Sequence, residues 1–344
     1  MLFARLLIRL AKGIDMSFSP NDLCVFVATY NRADLLQTQL ESLMSQTVRP
    51  DVITVLDNGG SPATRDLVES LSGRGVKYVD TTAYGRLGNM LTAQKLSSGR
   101  YVAIFHDDDA VERHYFESVL AVLNGCADED IRLVTTMYIP QQVGRFSFPT
   151  ETPHINGLIM DRAQYADFVL NAYSGFPFAF YAIEQFRKLD AEKMWKDCGK
   201  WYDIPMQLEV VGDGRAAFLY YPFGVYGHHP KQDSADPSNL PDVRAWANLE
   251  SYYVRALGDD LYAWPGWTNV VFNRRRLLTG YKRRGKKTIS KKEYMEYARF
   301  VGAVNRHPVL TFLLSRRLVQ KAYTAMRVRT FAFSVRPLTE GRFA

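Results

Sequence analysis

The sequence predicts an α/β protein built on a doubly wound, mostly parallel sheet. Three observations carry that prediction: short apolar runs rich in β-branched residues, helix-patterned segments between them, and polar residues collected where each run stops. The runs are "LCVFVA" (23–28), "VITVL" (52–56), "VKYV" (76–79) and "YVAIF" (101–105). Each is too apolar on both faces for a half-exposed strand, as expected of a parallel sheet covered by helices.

Between the strands, Leu36, Leu40 and Leu43 mark one face of a helix over 33–45, and "SPATRDLVESL" and "RLGNMLTAQKL" repeat the spacing. Further strands are expected near 132–137, 156–160 and 215–221, with helices over 204–211 and 242–257. The stretch 228–242 is rich in Pro, Asp and Ser and reads as a boundary or a loop that closes over a ligand. Three units follow: an amphipathic segment over 1–19, a catalytic domain over 20–235, and a helical, basic region over 236–344. In the last of these, Leu310, Leu313, Leu314, Leu318 and Ala322 form an apolar stripe opposite Arg316, Arg317 and Lys321.

Charge divides the chain in the same way. Residues 271–344 carry a balance of +16 and residues 1–270 a balance of −9, which the net charge of +7 conceals. A basic tail on an acidic body points to a polyanionic surface, either phospholipid or nucleic acid. The three cysteines, Cys24, Cys126 and Cys198, are odd in number and widely spaced, which suits packing in a reducing compartment better than disulfides or zinc. No uncharged apolar run approaches the ~20 residues of a membrane span. Arg5, Arg9 and Lys12 interrupt the N-terminal segment as a secretory signal, so the expected location is cytoplasmic, with peripheral attachment to the inner face of a membrane.

Ligands of doubly wound sheets sit beyond the carboxyl ends of the strands. There the sequence places "TYNR" (29–32), "DNGG" (57–60), "DTTAYGR" (80–86) and the triplet Asp107, Asp108, Asp109. Three adjacent carboxylates repel one another unless a cation or hydrogen-bond donors compensate. On an extended chain Asp107 and Asp109 face the same way and Asp108 the other, so the first and third converge on a point suited to Mg²⁺ or Mn²⁺. The competing reading is a helix cap, because Asp109 and Glu112 have capping-box spacing; it leaves Asp107 and Asp108 unexplained.

"CVFVATYNRADLLQTQLESLMSQTVRPDVITVLDNGG" followed by "YGRLGNMLTAQKLSSGRYVAIFHDDD" resembles the nucleotide-binding half of family 2 glycosyltransferases of the GT-A fold, of the bacterial polysaccharide or glycolipid type. The resemblance spans roughly 22–235 and is specific in its first half. It implies that Thr29, Tyr30, Arg32, Gly85, Arg86, Asn89, Asp107 and Asp108 face a nucleotide sugar, and that Asp57 accepts from the base. A turn-stabilising aspartate before Asn-Gly-Gly is an equal reading of Asp57. It also implies a metal site of Asp107 and Asp109 completed by His229; on chemistry alone His228 serves as well.

Within the same resemblance, "CGKWYDIPMQLEVVG" (198–212) makes Asp203 the general base of an inverting transfer, with Glu184 and Asp197 as weaker candidates; Asp203 also reads as a helix N-cap. "TPHINGLIMDR" (152–162) resembles a stretch lining the sugar and acceptor pocket. The implied reaction moves a sugar from a nucleotide-diphosphate donor to a hydroxyl of a glycan or lipid-linked acceptor, with Mn²⁺ or Mg²⁺ as cofactor. Its competitors are a nucleotidyltransferase, which lacks its glycine-rich loop in "ATYNRADLL", and a nucleic-acid-binding protein acting through its tail. The second leaves the strand-end residues without a purpose, so nucleic acid is not expected as a partner.

Overall fold

The computed structural model describes residues 17–143, 146–149, 155–171, 176–229, 243–258, 264 and 336–338. The segment 1–16, residues 230–242 of the loop expected over 228–242, and most of the basic region beyond 258, including the stripe from Leu310 to Ala322, lie outside the described residues.

Four strands come first: β1 (Leu23–Thr29), β2 (Ile53–Asp57), β3 (Val76–Asp80) and β4 (Tyr101–His106). They are parallel neighbours in the order β4-β1-β2-β3. Helices α1 (Ala33–Met44), α2 (Pro62–Ser70) and α3 (Gly88–Leu96) make the crossovers. Register sets the strand ends level. Thr29 lies beside Asp57, Asp57 beside Asp80, and Ala28 beside His106. The residues expected to bind a ligand therefore share one rim.

The sheet then turns mixed. Strand β5 (Ala110–Val111), helix α4 (Tyr115–Gly125), β6 (Ile131–Gln142), β7 (Gly157–Met160), helix α5 (Arg162–Asn171) and β8 (Ala179–Ala182) follow. After them come α6 (Ile183–Arg187), α7 (Ala191–Cys198), α8 (Asp203–Val211), β9 (Arg215–His228), α9 (Val243–Leu257) and β10 (Arg336–Leu338). Strand β8 enters antiparallel between β4 and β6, while β6 and β9 pair in parallel. Strands β5 and β7 both run antiparallel to β9, and β10 closes the far edge against β7. Strands β6 and β9 keep the direction of the first four, so the sheet is mostly parallel as predicted. Bulges at Ile131/Leu133 and Thr136/Tyr138 bend the long β6–β9 pair, as an extra residue in one strand must.

Alternation along β1 and β4 sends side chains into two apolar layers. Val25, Val27, Ala103 and Phe105 meet Leu36 and Leu40 of α1 and Phe116 and Val119 of α4. Phe26, Val102 and Ile104 meet Met90 of α3, Phe186 of α6 and Met206 and Leu208 of α8. Each fully buried side chain of this size contributes roughly 1.5–3 kcal/mol, which fixes the strand ends rigidly under the site. Beyond position 235, α9 packs on α5, α7 and α8 and β10 joins the sheet, so both pieces rest on the body of the domain.

Candidate functional site

Strand β1 ends in a turn that aims a cation at the aspartates. Asn31 takes a left-handed backbone (φ +54°), which asparagine tolerates better than most residues, and the chain reverses into α1. Arg32, at the head of α1, then reaches over the rim. Its Nη2 lies 2.7 Å from Asp107 Oδ1 and its Nη1 3.1 Å from Asp108 Oδ2. Thr29 donates to Asp107 Oδ2 at 2.6 Å. Tyr30 points outward, 60% exposed, with an aromatic face open to solvent.

The triplet does not continue as an extended strand. Residues 107 and 108 form a turn, because β5 must swing across to pair with β9. Asp107 thereby faces Thr29 and Arg32, whereas Asp108 and Asp109 come together with His106: one ligand atom from each lies within 4.8 Å of the others. The helix-cap reading also fails to describe Asp109, since α4 begins only at Tyr115. Asp109 Oδ1 accepts from the backbone N–H of Gly227 at 3.0 Å, while the buried Oδ2 has no hydrogen-bond partner among the described residues.

Gly227 is required there. A Cβ on it would stand 1.7 Å from the carbonyl oxygen of Asp108. We expect Gly227→Ala to push β9 off the turn, to cost roughly 1–3 kcal/mol and to weaken metal-dependent nucleotide binding, which thermal unfolding with and without Mn²⁺ and a nucleoside diphosphate checks.

Electrostatics separate the three carboxyls. Burial raises Asp107 to about 6, with Arg32 and Thr29 opposing. Burial acts on Asp108 in the same direction, but the charges of His106, Arg32 and His229 outweigh it and hold the carboxyl below its usual range. Asp109 is pushed well above the ordinary value by burial and by the neighbouring charge of Asp108. A further positive charge would favour its ionised form. A buried, unpaired oxygen that such a charge would stabilise, beside a second carboxylate and an imidazole, fits a divalent cation.

The two histidines at the end of β9 take different surroundings: His228 is the last residue of the strand and His229 follows it. His229 Nε2 lies 2.9 Å from Asp108 Oδ2 and 3.3 Å from Arg32 Nη1. His228 is exposed and packs edge-on against Tyr226 instead.

At the next strand ends Asp57 is fully buried and its oxygens serve the chain itself. They accept from the N–H of Gly59 (2.8 Å) and Ser61 (3.1 Å) and from the hydroxyl of Tyr78 (3.1 Å). Asp57→Ala leaves these donors stranded, with an expected loss of roughly 2–4 kcal/mol that chemical denaturation measures. Asn58 bonds the carbonyl of Gly85 at 2.8 Å, and Thr81 donates to Asn89 at 2.6 Å, so the loop carrying exposed Arg86 is held to the rim. Gly85 has φ +61°, a conformation that favours glycine.

Asp203 opens helix α8. A tight connection from Val211 to Gly214 folds α8 back along β9, which places its N-terminus toward the same rim. The residue is part-buried, and its Oδ1 is sealed from solvent without a hydrogen-bond partner among the described residues. Burial lifts its carboxyl to about 7 against the backbone N–H groups at the helix start. Of the other candidates, Glu184 sits at the opposite rim, where Ile183 N–H bonds the carbonyl of Arg100 just before β4. Asp197 is tied to Lys193 and to the hydroxyl of Tyr252.

Two contributors escaped the sequence. His106 ends an apolar run and was overshadowed by the triplet after it; its position one residue before three aspartates was the available signal. Gly227 had no local signal, because its partner lies 118 residues away.

Residues 24–186 match the glycosyl transferase family 2 profile. The structure is similar to that of S. aureus TarS 1–349, with TM-score 0.60 at 15% identity, covering 91% of this chain and 90% of that one. The complex of that protein with UDP-GlcNAc gives 0.59 at 14% identity over the same shares, and the complex with UDP gives 0.59 at 16%. No sequence among curated proteins matches the chain. The profile match covers a little under half of the chain. The protein is a glycosyltransferase of GT-A fold. Among the described residues no helix is long and apolar enough to cross a membrane.

Proposed function

We propose that the protein transfers a sugar, with inversion, from a nucleoside-diphosphate donor to a hydroxyl of a glycan or lipid-linked acceptor in cell-surface polysaccharide synthesis. The observation that carries this reading is the orphaned oxygen of Asp109, set among His106 and Asp108 at the rim where Thr29, Tyr30 and Arg32 also end. That the similar S. aureus protein is found in complex with UDP-GlcNAc supports a nucleotide-sugar donor here.

In this account Tyr30 offers its exposed ring to the base, and Arg32 turns from Asp107 toward the diphosphate as the donor enters. The loop through Gly85, Arg86 and Asn89 borders the ribose and phosphates, and Asp57 holds the neighbouring turn. Asp108 and Asp109, with His229 adjoining, hold Mn²⁺ or Mg²⁺. Asp107, expected as a ligand, is turned to Thr29 and Arg32 and holds the arginine at the rim before the donor enters. The bound cation supplies charge neutralisation on the departing diphosphate, worth several kcal/mol of barrier. Asp203, with a pKa near neutrality, takes the acceptor's proton as its oxygen attacks the anomeric carbon.

The basic tail and the N-terminal segment rest on anionic lipid in this reading, which would bring the enzyme to a lipid-linked acceptor. Incubating the protein with nucleotide sugars and following released nucleoside diphosphate and the anomeric configuration of the product tests the reaction. Release of pyrophosphate, or retention of configuration, would overturn it.

A further inference from the structure

We infer that His106 is a ligand of the cation and tunes the site toward a transition-metal ion such as Mn²⁺ and away from Mg²⁺. The inference rests on the proposed metal-dependent reading of the same site and adds to it a donor atom and a preference.

Geometry supplies the first argument. His106 Nδ1 lies 3.8 Å from Asp109 Oδ2, too far for a hydrogen bond between those atoms. That separation suits two ligands of one ion. Donors ~2.1 Å from an octahedral centre stand roughly 3.0 Å apart when adjacent and roughly 4.2 Å apart when opposite. The ligand atoms of His106, Asp108 and Asp109 all lie within 4.8 Å of one another, so a closure of at most about 0.6 Å brings the whole group within that limit.

Burial supplies the second. Asp109 is fully buried, and among the described residues its Oδ2 has no hydrogen-bond partner while His106 Nδ1 and a ligand atom of Asp108 lie near it. The His106 side chain is 39% exposed and forms the open side through which an ion and its remaining water or phosphate ligands would enter. His106 is the last residue of β4, and its backbone is fixed in register beside Ala28 of β1, so the ring is carried on a rigid strand.

Chemistry supplies the third. Mg²⁺ takes oxygen ligands and resists exchanging them for nitrogen, whereas imidazole suits first-row transition ions. A site of carboxylates alone would accept either ion. An imidazole from His106, added to the carboxylates, shifts the balance toward Mn²⁺.

The test uses the full-length protein and metal alone, without nucleotide or turnover. Mn²⁺ binding is followed by electron paramagnetic resonance, with Mg²⁺ as competitor. For His106→Ala we expect Mn²⁺ affinity to fall about tenfold or more while Mg²⁺ affinity changes less than threefold. A Mn²⁺ affinity within twofold of the parent, in a variant with the parent's thermal unfolding, would overturn the assignment. A second measurement guards against indirect effects. In His229→Ala, pulsed resonance should still detect a directly coordinated imidazole nitrogen on Mn²⁺, and the double variant with His106→Ala should not; absence of nitrogen coupling in His229→Ala overturns the proposal. If the parent binds no Mn²⁺ that Asp109→Asn removes, the metal-dependent reading itself fails, which is distinct from failure of His106 alone.

Discussion

Replacing Asp109 with asparagine is expected to lower turnover at least 10³-fold while leaving the fold in place. The side chain keeps its size, and the oxygen that accepts from Gly227 can be retained by the amide. What is lost is the second, unpartnered oxygen as an anion. Burial and the neighbouring charge of Asp108 both oppose ionisation of Asp109, which a bound cation would favour, while His106, Arg32 and His229 hold Asp108 below its usual range. An amide removes one charge from the cation's ligand set and presents N–H groups toward the ion. Removal of a preorganised charge at a departing anion commonly costs 10²–10³ in rate, and loss of the ion adds to that. The check is steady-state transfer with saturating donor and Mn²⁺, beside a thermal unfolding curve without ligand. Because neutralising the residue also relieves repulsion with Asp108, the variant should unfold at the same temperature as the parent or slightly higher. Turnover within tenfold of the parent would remove Asp109 from the machinery.

Asp203→Asn is expected to lower turnover by about 10²–10⁴, with little effect on donor binding, because a general base acts in the transition state. The parent should show a pH–rate profile rising through about pH 7, where the carboxyl ionises, and the variant should lose that limb. Stability carries a signature of opposite sign. A carboxyl raised in the folded state is favoured when protonated, so the parent loses stability as pH climbs from the unfolded value near 4 through about 7. The variant has no such loss. Relative to the parent it should therefore gain about 1–2 kcal/mol between pH 5 and pH 8, a figure kept below full-burial expectations because the residue is part-exposed. A parent profile flat across this range, with the variant equally flat, would take the base role from Asp203.

How far the sequence reveals this molecule depends on how local each signal is. Strands β1 to β4 and helices α1 to α3 are legible because their apolar spacing is set within a dozen residues, and the rim residues follow directly from where the runs stop. Strand β8 was missed: four residues, "AFYA", carry no period, and their partners lie on β4 and β6. The strand expected near 215–221 continues to His228, and its second half carries no clear period because Pro222, Gly224 and Gly227 interrupt it. Those glycines serve long-range contacts, with Gly224 packed under the ring of Phe178 and Gly227 under the carbonyl of Asp108. The same contact explains why the triplet turns instead of running straight. Extended geometry was the correct local expectation; β9, more than a hundred residues later, imposes the turn. Asp57 was balanced between two uses, and only coordinates could reveal Gly59, Ser61 and Tyr78 around it. His229 is distinguished from His228 once β9 is known to end at His228, which leaves the next residue beside Asp108.

The claim on which the account turns is that buried carboxylates at the rim join a cation to a donor's diphosphate, and ligand-induced stabilisation measures that joining directly. Thermal unfolding of the full-length protein would be recorded with Mn²⁺ alone, with a nucleoside diphosphate alone, and with both, for the parent and for Asp109→Asn. The account predicts a rise of several degrees with both together that far exceeds the sum of the separate shifts, and no such excess in the variant. An equal rise with the nucleotide alone, or an undiminished excess in Asp109→Asn, would contradict it.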